Sequence, residues 1–360
     1  IPADRLTYKY KNEIHANEIV LLAYYIASIN IETVYHDQMK TINPEMEYTP
    51  FEGICLTDTF EMYEKDDLVS KVLIDNSSRR KRQKDLNIKV IIGNPPYSAG
   101  QSSQNENNQN VKYEYLDKRI YETYTLNSAN LLGKRSSLDS YIRAIRWASD
   151  RIEDQGVVGF ITNSGYLSSN AADGIRKCLI EEFSSLYIIN LRGNSRTTGD
   201  IAKKEAGNIF DIRTPVAIAI LVKNQKTERQ GQIHYFDIGD YLSKKEKLEK
   251  LSDLHSISGI NSLKLWENIK PDTHNDWLNQ RDDSFEDFIK IHDKSNTSIF
   301  EKISLGVITN RDAWNYDFSL LKLKNRTKKA LAFFNKEVTR YKKACTGLTP
   351  DKYPNMMDFV

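Results

Sequence analysis

The chain is poor in the residue types that build metal centres and cross-linked scaffolds. Its three cysteines, Cys55, Cys178 and Cys345, lie far apart with no Cys-x-x-Cys pair. That spacing excludes a disulfide framework and a zinc knuckle, and suits a reducing cytoplasm. The six histidines follow no ligand spacing such as His-x-x-x-His, so no catalytic metal is expected. No order of Ser, His and Asp points to acyl transfer. Long apolar runs are also missing: the longest, Pro215 to Val222, falls well short of the roughly 20 residues needed to cross a bilayer. Neither sign of charge dominates, with 51 basic and 49 acidic residues and a net charge of +2. A general polyanion binder is thereby excluded, and any nucleic-acid contact has to come from a local basic cleft. No glycine occurs among residues 1–17. The opening Ile1-Pro2-Ala3-Asp4-Arg5 has neither an initiator Met nor the regions of a signal peptide, and reads as an excerpt from a longer chain.

What is present is an alternation of apolar strands and helices over 360 residues, enough for two domains. Glu13 to Ile19 reads as a short strand running into Val20 to Ala27, whose apolar density suits a buried helix. Further strands are read at Gly53–Thr57, followed by Asp58, and at Ile88–Gly93, followed by Asn94-Pro95-Pro96-Tyr97. Residues 98–112 are nearly all Ser, Gln, Asn and Gly and read as a loop. Ser137 to Ala148 reads as a helix, with Ser136 and Asp139 as a capping box and Ile142, Ile145 and Ala148 as an apolar stripe. Val157–Thr162, Leu186–Leu191 and Val216–Val222 read as strands, the last forming a hairpin with Gln232–Phe236. This is the pattern of an α/β fold: a mostly parallel sheet covered on both faces, with an antiparallel edge hairpin. Periodicity weakens after about residue 250, which sets the expected boundary between a core of 1–250 and a further region, 251–360, incomplete at its end.

Asn94-Pro95-Pro96-Tyr97 carries the strongest chemical signal. Its chance occurrence in a chain of this length is on the order of one in a thousand, and it stands directly after a strand, where an open α/β sheet borders its ligand crevice. An exocyclic amine conjugated to a ring is a poor nucleophile because its lone pair is delocalised. Two acceptors, the Asn94 side-chain carbonyl and the Pro95 main-chain carbonyl, match its two hydrogens and let the nitrogen aim its lone pair at a methyl sulfonium. Consecutive prolines fix φ and bring no competing N–H. Tyr97 is placed to stack on a base swung out of a duplex. The bland alternative is a rigid turn whose tyrosine packs on the core.

These residues resemble the amino-methyltransferases that share an (Asn/Asp/Ser)-Pro-Pro-(Tyr/Phe) motif. More narrowly, Ile91 to Gln101, Asp139 to Ala144 and Thr309 to Trp314 resemble the methyltransferase region of single-polypeptide Type ISP restriction-modification enzymes, and the likeness extends over most of residues 13–320. The resemblance implies a Rossmann-like class I methyltransferase sheet and S-adenosylmethionine as cofactor. It implies adenine N6 in double-stranded DNA as substrate and a bacterial cytoplasmic setting. It also implies nuclease and helicase-like domains of the same large polypeptide as partners, with a target-recognition region beginning after residue 250. By the same resemblance Glu18 binds the cofactor's ribose hydroxyls, Ile19 lies beside its adenine ring and Asp58 accepts from its adenine amino group. Taken alone, these are carboxylates at strand ends. The family's Phe-x-Gly-x-Gly loop has no counterpart in residues 1–17 and is expected upstream; the other reading is a degenerate domain that binds DNA without catalysis.

Rival substrates are cytosine N4, which presents the same amine chemistry, and a protein glutamine amide. The polar insertion after Tyr97 and the region beyond 250 suit a large nucleic-acid substrate better than a protein side chain. Direct methyl transfer needs no covalent enzyme intermediate, so it calls for no nucleophilic cysteine. Two basic segments, Arg79-Arg80-Lys81-Arg82 with Lys84 and the Arg192–Arg196 turn, read either as phosphate contacts or as solvated surface.

Overall fold

The computed structural model describes residues 2–63, 74–96, 112–129, 138–281, 284, 287–293, 297–304, 312–349 and 352–359. They form two compact units, Ile1–Arg281 and Asp282–Val360. Tyr97, Ser136 and most of the polar stretch after Asn-Pro-Pro lie outside the described residues.

The first unit opens with α1 (Ala3–Tyr8), which continues as a wider helical turn over Lys9–Glu13 before β1 (Ala16–Glu18), α2 (Leu21–Lys40) and β2 (Ile54–Leu56). β1 and β2 pair in parallel as a separate two-stranded sheet, Glu18 opposite Leu56. The first strand is therefore shorter than the apolar pattern suggests, because the Ile14 N–H closes a helical turn on the Lys9 carbonyl at 3.0 Å. α2 also departs from expectation. Leu21, Leu22, Tyr25, Ile26 and Ile29 are exposed, and burial is confined to Tyr35, His36 and Met39. Its apolar residues run round the helix rather than in one stripe, so a single packing face cannot cover them.

Next come α3 (Ile74–Asp85), β3 (Val90–Gly93), α4 (Glu114–Ile120) and α5 (Ser140–Arg151). Asp139 caps α5, its carboxylate accepting from the Tyr141 N–H at 3.4 Å. β4 (Gln155–Asn163), α6 (Asp173–Glu182), β5 (Ser185–Arg192) and α7 (Gly199–Glu205) follow, then β6 (Val216–Asn224) and β7 (Gln232–Asp237). α8 (Lys244–Leu254), α9 (Ile257–Ser262) and β8 (Glu267–Ile269) complete the sheet region. The six-stranded sheet has the order β3-β4-β6-β5-β7-β8. β3, β4, β5 and β7 run one way and β6 and β8 the other. This is the expected mostly parallel, Rossmann-like α/β arrangement.

The expected hairpin between β6 and β7 does not form. β6 lies inside the sheet, antiparallel to both β4 and β5, and β7 pairs in parallel with β5. Ala217 and Ala219 are buried, and a near-continuous apolar strand with small residues suits a site covered on both faces better than an edge. The antiparallel edge is β8. The sheet thus takes in residues well beyond 250. Segment 275–281 is tied to α6 by Arg176, which is fully buried, donates to the Asn275 carbonyl at 2.7 Å and pairs with Asp276. Buried arginines need such partners, since an unpaired charge out of water is costly. Arg146 on α5 obeys the same rule, donating to Glu182 and Asp150 at 2.6 Å each.

The second unit contains α10 (Asp312–Asn315), α11 (Leu320–Cys345) and a short turn at Met356–Phe359. Ser319 caps α11. Phe359 packs near α11, its ring centroid 5.3 Å from that of Tyr341 and 4.6 Å from the Arg340 guanidinium.

Candidate active site

Asn94, Pro95 and Pro96 leave the carboxyl end of β3 and line a cavity of about 440 Å³. Its other walls are Arg196, Phe210, Ile212, Arg213 and Thr214. These belong to the two ends of the connection between β5 and β6. Because β6 runs antiparallel, its amino end meets the carboxyl ends of β4 and β5, and the Ser164 N–H bonds the Pro215 carbonyl at 3.0 Å.

One side chain organises that connection. Asn208 Nδ2 donates to the Gly193 carbonyl at 3.0 Å and the Thr214 carbonyl at 2.8 Å, and Oδ1 accepts from the Phe210 and Ile212 N–H groups at 2.9 and 3.4 Å. Gly193 has φ +88°, and a Cβ there would come within 2.9 Å of the Asn208 Cα. Glycine is required for both reasons. Lys247 on α8 is buried and donates to the Glu205 and Gly207 carbonyls at 3.0 and 2.7 Å. Burial lowers its pKa. Arg192, at φ +57°, pairs with Asp237 at 2.6 Å and with Asp240, so it braces the end of β5 rather than facing solvent as a free phosphate contact.

Glu18 and Asp58 come together at the carboxyl ends of β1 and β2, where the Thr57 N–H donates to the Glu18 carbonyl at 2.9 Å. Glu18 Oε1 accepts from the Ile19 and Val20 N–H groups at 2.9 Å each, at the start of α2, and Ile19 is exposed. Asp58 Oδ1 accepts from the Phe60 N–H at 2.9 Å, and Oδ2 from the Tyr113 hydroxyl at 2.8 Å. Tyr113 is buried, its pKa raised by burial and then by Asp58. Phe60 meets its ring edge-on at 5.4 Å, and the Arg143 guanidinium lies 4.9 Å from its centroid. Arg143 is clamped by Asp117 through bonds of 2.8 and 2.9 Å. Each carboxylate oxygen of Asp58 retains a second lone pair for a further donor.

Glu18, Ile19 and Asp58 therefore form one cluster and Asn94, Pro95 and Pro96 another. The first three do not line the Asn-Pro-Pro cavity, and Tyr97 lies outside the described residues. Arg196 was visible in the sequence within a basic turn. Phe210, Ile212, Arg213 and Thr214 were not, since no local period links residues 208–214 to 94–96. The basic run on α3 is partly engaged, Arg80 donating to the Glu61 carbonyl and Arg82 to the Glu52 carbonyl at 3.0 Å each. Among the described residues no helix is long and apolar enough to cross a membrane.

Comparison with known proteins bears on both units. The model of the Eco57I restriction-modification methylase family matches residues 11–197, and that of the Type ISP C-terminal specificity domain matches residues 298–355. The ATP-dependent Type ISP restriction-modification enzyme LlaBIII, solved bound to DNA, is 43% identical with a TM-score of 0.82 over 94% of this chain and 22% of its own. A nuclease-deletion mutant of the Type ISP enzyme LlaGI, solved with a DNA substrate mimic, is 44% identical with a TM-score of 0.84 over 100% of this chain and 28% of its own. DrdV, in complex with DNA, is 34% identical with a TM-score of 0.78 over 94% of this chain and 33% of its own. The chain thus spans between about a fifth and a third of the length of these relatives.

Proposed function

This chain belongs to the Eco57I restriction-modification methylase family, and on that premise we propose that it is the module that methylates adenine N6 in duplex DNA. The carrying observation is the cavity at the Asn-Pro-Pro turn, which sets carbonyl acceptors, an aromatic ring and two arginines around one space. That combination suits a nucleotide: Phe210 for the face of the base, Arg196 and Arg213 for flanking phosphates. Asn94 Oδ1 and the Pro95 carbonyl accept the two amine hydrogens, and Pro96 brings no donor to compete for them.

When bound, S-adenosylmethionine supplies the methyl group on a positively charged sulfur. Glu18 and Asp58 offer carboxylate acceptors for the ribose hydroxyls and the adenine amino group of such a cofactor, with exposed Ile19 for its ring. This arrangement fits the adenosine portion. Asn94 and Pro95 would hold the target nitrogen with its lone pair directed at the methyl group, so that the N–C bond forms as the methyl–sulfur bond breaks and the displaced amine proton leaves to water. Tyr97 stacks on the flipped base. Helicase-like and nuclease domains of the same polypeptide are its proposed partners, and residues beyond Arg281 begin the target-recognition region.

Methyl transfer from labelled cofactor to unmodified duplex DNA, followed by nucleoside analysis, tests this reading. Label in N6-methyladenine is the expected result. Label in N4-methylcytosine would transfer the same chemistry to another base, and label in protein would replace the substrate class. No label, together with no cofactor binding, would leave a DNA-binding segment without catalysis.

A further inference from the structure

α11 concentrates charge that the rest of the chain lacks. Between Leu320 and Cys345 stand nine basic residues and a single acidic one, Glu337. Of 51 basic and 49 acidic residues overall, 42 and 48 remain elsewhere, so the net charge of +2 divides into +8 on this helix and −6 outside it.

The distribution within the helix is ordered. Lys322, Lys329, Lys336 and Lys343 recur every seventh residue and are all exposed. At 3.6 residues per turn they form one stripe roughly 30 Å long. None of the four forms an ion pair among the described residues, whereas Arg326 pairs with Asp317 and Arg340 with Glu337. Those two arginines stand on the same side, three or four residues from the lysines. Like charges at such spacings destabilise an isolated helix, and an anionic partner removes that penalty. Leu320, Leu323, Leu331, Phe334, Val338 and Tyr341 gather on the opposite side; Phe333 is the large apolar exception on the lysine side.

We infer that this lysine stripe is a phosphate-backbone contact for duplex DNA, sequence-independent and separate from the Asn-Pro-Pro cavity. The inference rests on the reading of the chain as a DNA-modifying module. One turn of duplex rises about 34 Å along its axis, close to the length of the stripe, so a row of lysines lying along the duplex reaches phosphates at successive places where the two backbones cross it. A membrane surface fits less well, because the apolar side and the four stripe lysines point in opposite directions and cannot meet one interface together.

The experiment replaces Lys322, Lys329, Lys336 and Lys343 by Gln together in the full-length protein, with Lys324→Gln, Lys328→Gln and Lys342→Gln together as the off-stripe control. Affinity for duplexes with and without the target site is measured by fluorescence anisotropy over a series of KCl concentrations, with circular dichroism to confirm folding. Each lost phosphate contact lowers the slope of log affinity against log salt by about 0.9. The expected result is a slope smaller by about 3 to 4 for the stripe variant and by less for the control, with both duplexes weakened alike. Each single Lys→Gln variant should lower the slope by about 0.9, a readout that holds if the fourfold variant misfolds. An unchanged slope in a parent protein that binds and methylates DNA overturns this inference alone. A loss confined to the target duplex also overturns it, as does lost binding to phosphatidylserine vesicles with DNA binding unchanged. A parent that binds no DNA overturns both this inference and the proposed function.

Discussion

Around Asp58 the structure is held by buried side chains, whereas around Asn94 it is held by strand pairing and a looped backbone. The Asp58 carboxylate depends on Tyr113, which is packed by Phe60 and Arg143, and Arg143 is fixed by Asp117. The underlying sheet there is two strands of three residues each. The Asn94 turn extends a strand of the six-stranded sheet, and the facing wall is shaped by the four hydrogen bonds of Asn208. A weakly paired sheet needs a side-chain network to fix a carboxylate, while a well-paired sheet needs only to fix the loop facing it. The two clusters should therefore fail in different ways.

The largest separation is expected from Asn94→Ala. Removing one of two acceptors at the reacting nitrogen should lower the methyl-transfer rate by about 10²- to 10³-fold, with DNA affinity and melting temperature almost unchanged. A variant of undiminished rate in single-turnover labelling would remove Asn94 from the chemistry. Asn208→Ala should come next, because the Phe210 and Ile212 N–H groups and the Gly193 and Thr214 carbonyls lose their partner. We expect KM for DNA to rise about tenfold, equivalent to about 1.4 kcal/mol, with cofactor affinity unaffected. Equal losses for DNA and cofactor would show that the two clusters are not independent.

Tyr113→Phe sharpens the comparison from the other side. It deletes one hydrogen bond to a carboxylate and leaves the ring in place. Cofactor affinity measured by calorimetry should fall several-fold, in line with about 1 kcal/mol, while DNA affinity holds. The smallest effect concerns acid. Burial raises the pKa of Asp150, but the hydrogen bonds from Arg119 and the charges of Arg146 and Arg119 outweigh it and leave the pKa lowered. A carboxyl with a depressed folded-state pKa contributes stability above its unfolded value, near 3.9, and loses it as pH falls through the folded value. Asp150→Asn should therefore narrow its stability deficit relative to the parent as pH drops below about 4, read from chemical denaturation midpoints. A deficit constant with pH would remove the ion pairs as its cause.

Legibility varied along the chain for physical reasons. The strand before Asn94 announced itself by Val90, Ile91 and Ile92, and the central strands by near-continuous apolar runs. The placement of β6 did not, because a strand buried on both faces carries the same apolar signal whichever neighbours it pairs with. The exposed face of α2 was equally hidden, since apolar density reports composition and not what covers it. Arg192 read as part of either a phosphate-contacting or a plain surface turn, and its pairing with Asp237 and Asp240, carboxylates 45 and 48 residues away, was not legible.

By itself, the order of residues determined the α/β alternation and the Asn-Pro-Pro turn, since both are local: strand periodicity and the fixed φ of proline need no distant partner. The helical spacing of the α11 lysines is local in the same sense. Only the tertiary structure decided that Phe210, Ile212, Arg213 and Thr214 face that turn, that the Tyr113 hydroxyl donates to Asp58, and that β6 divides β4 from β5. Those facts depend on contacts between residues tens of positions apart, which form when buried polar groups and apolar faces find partners together rather than from any local pattern.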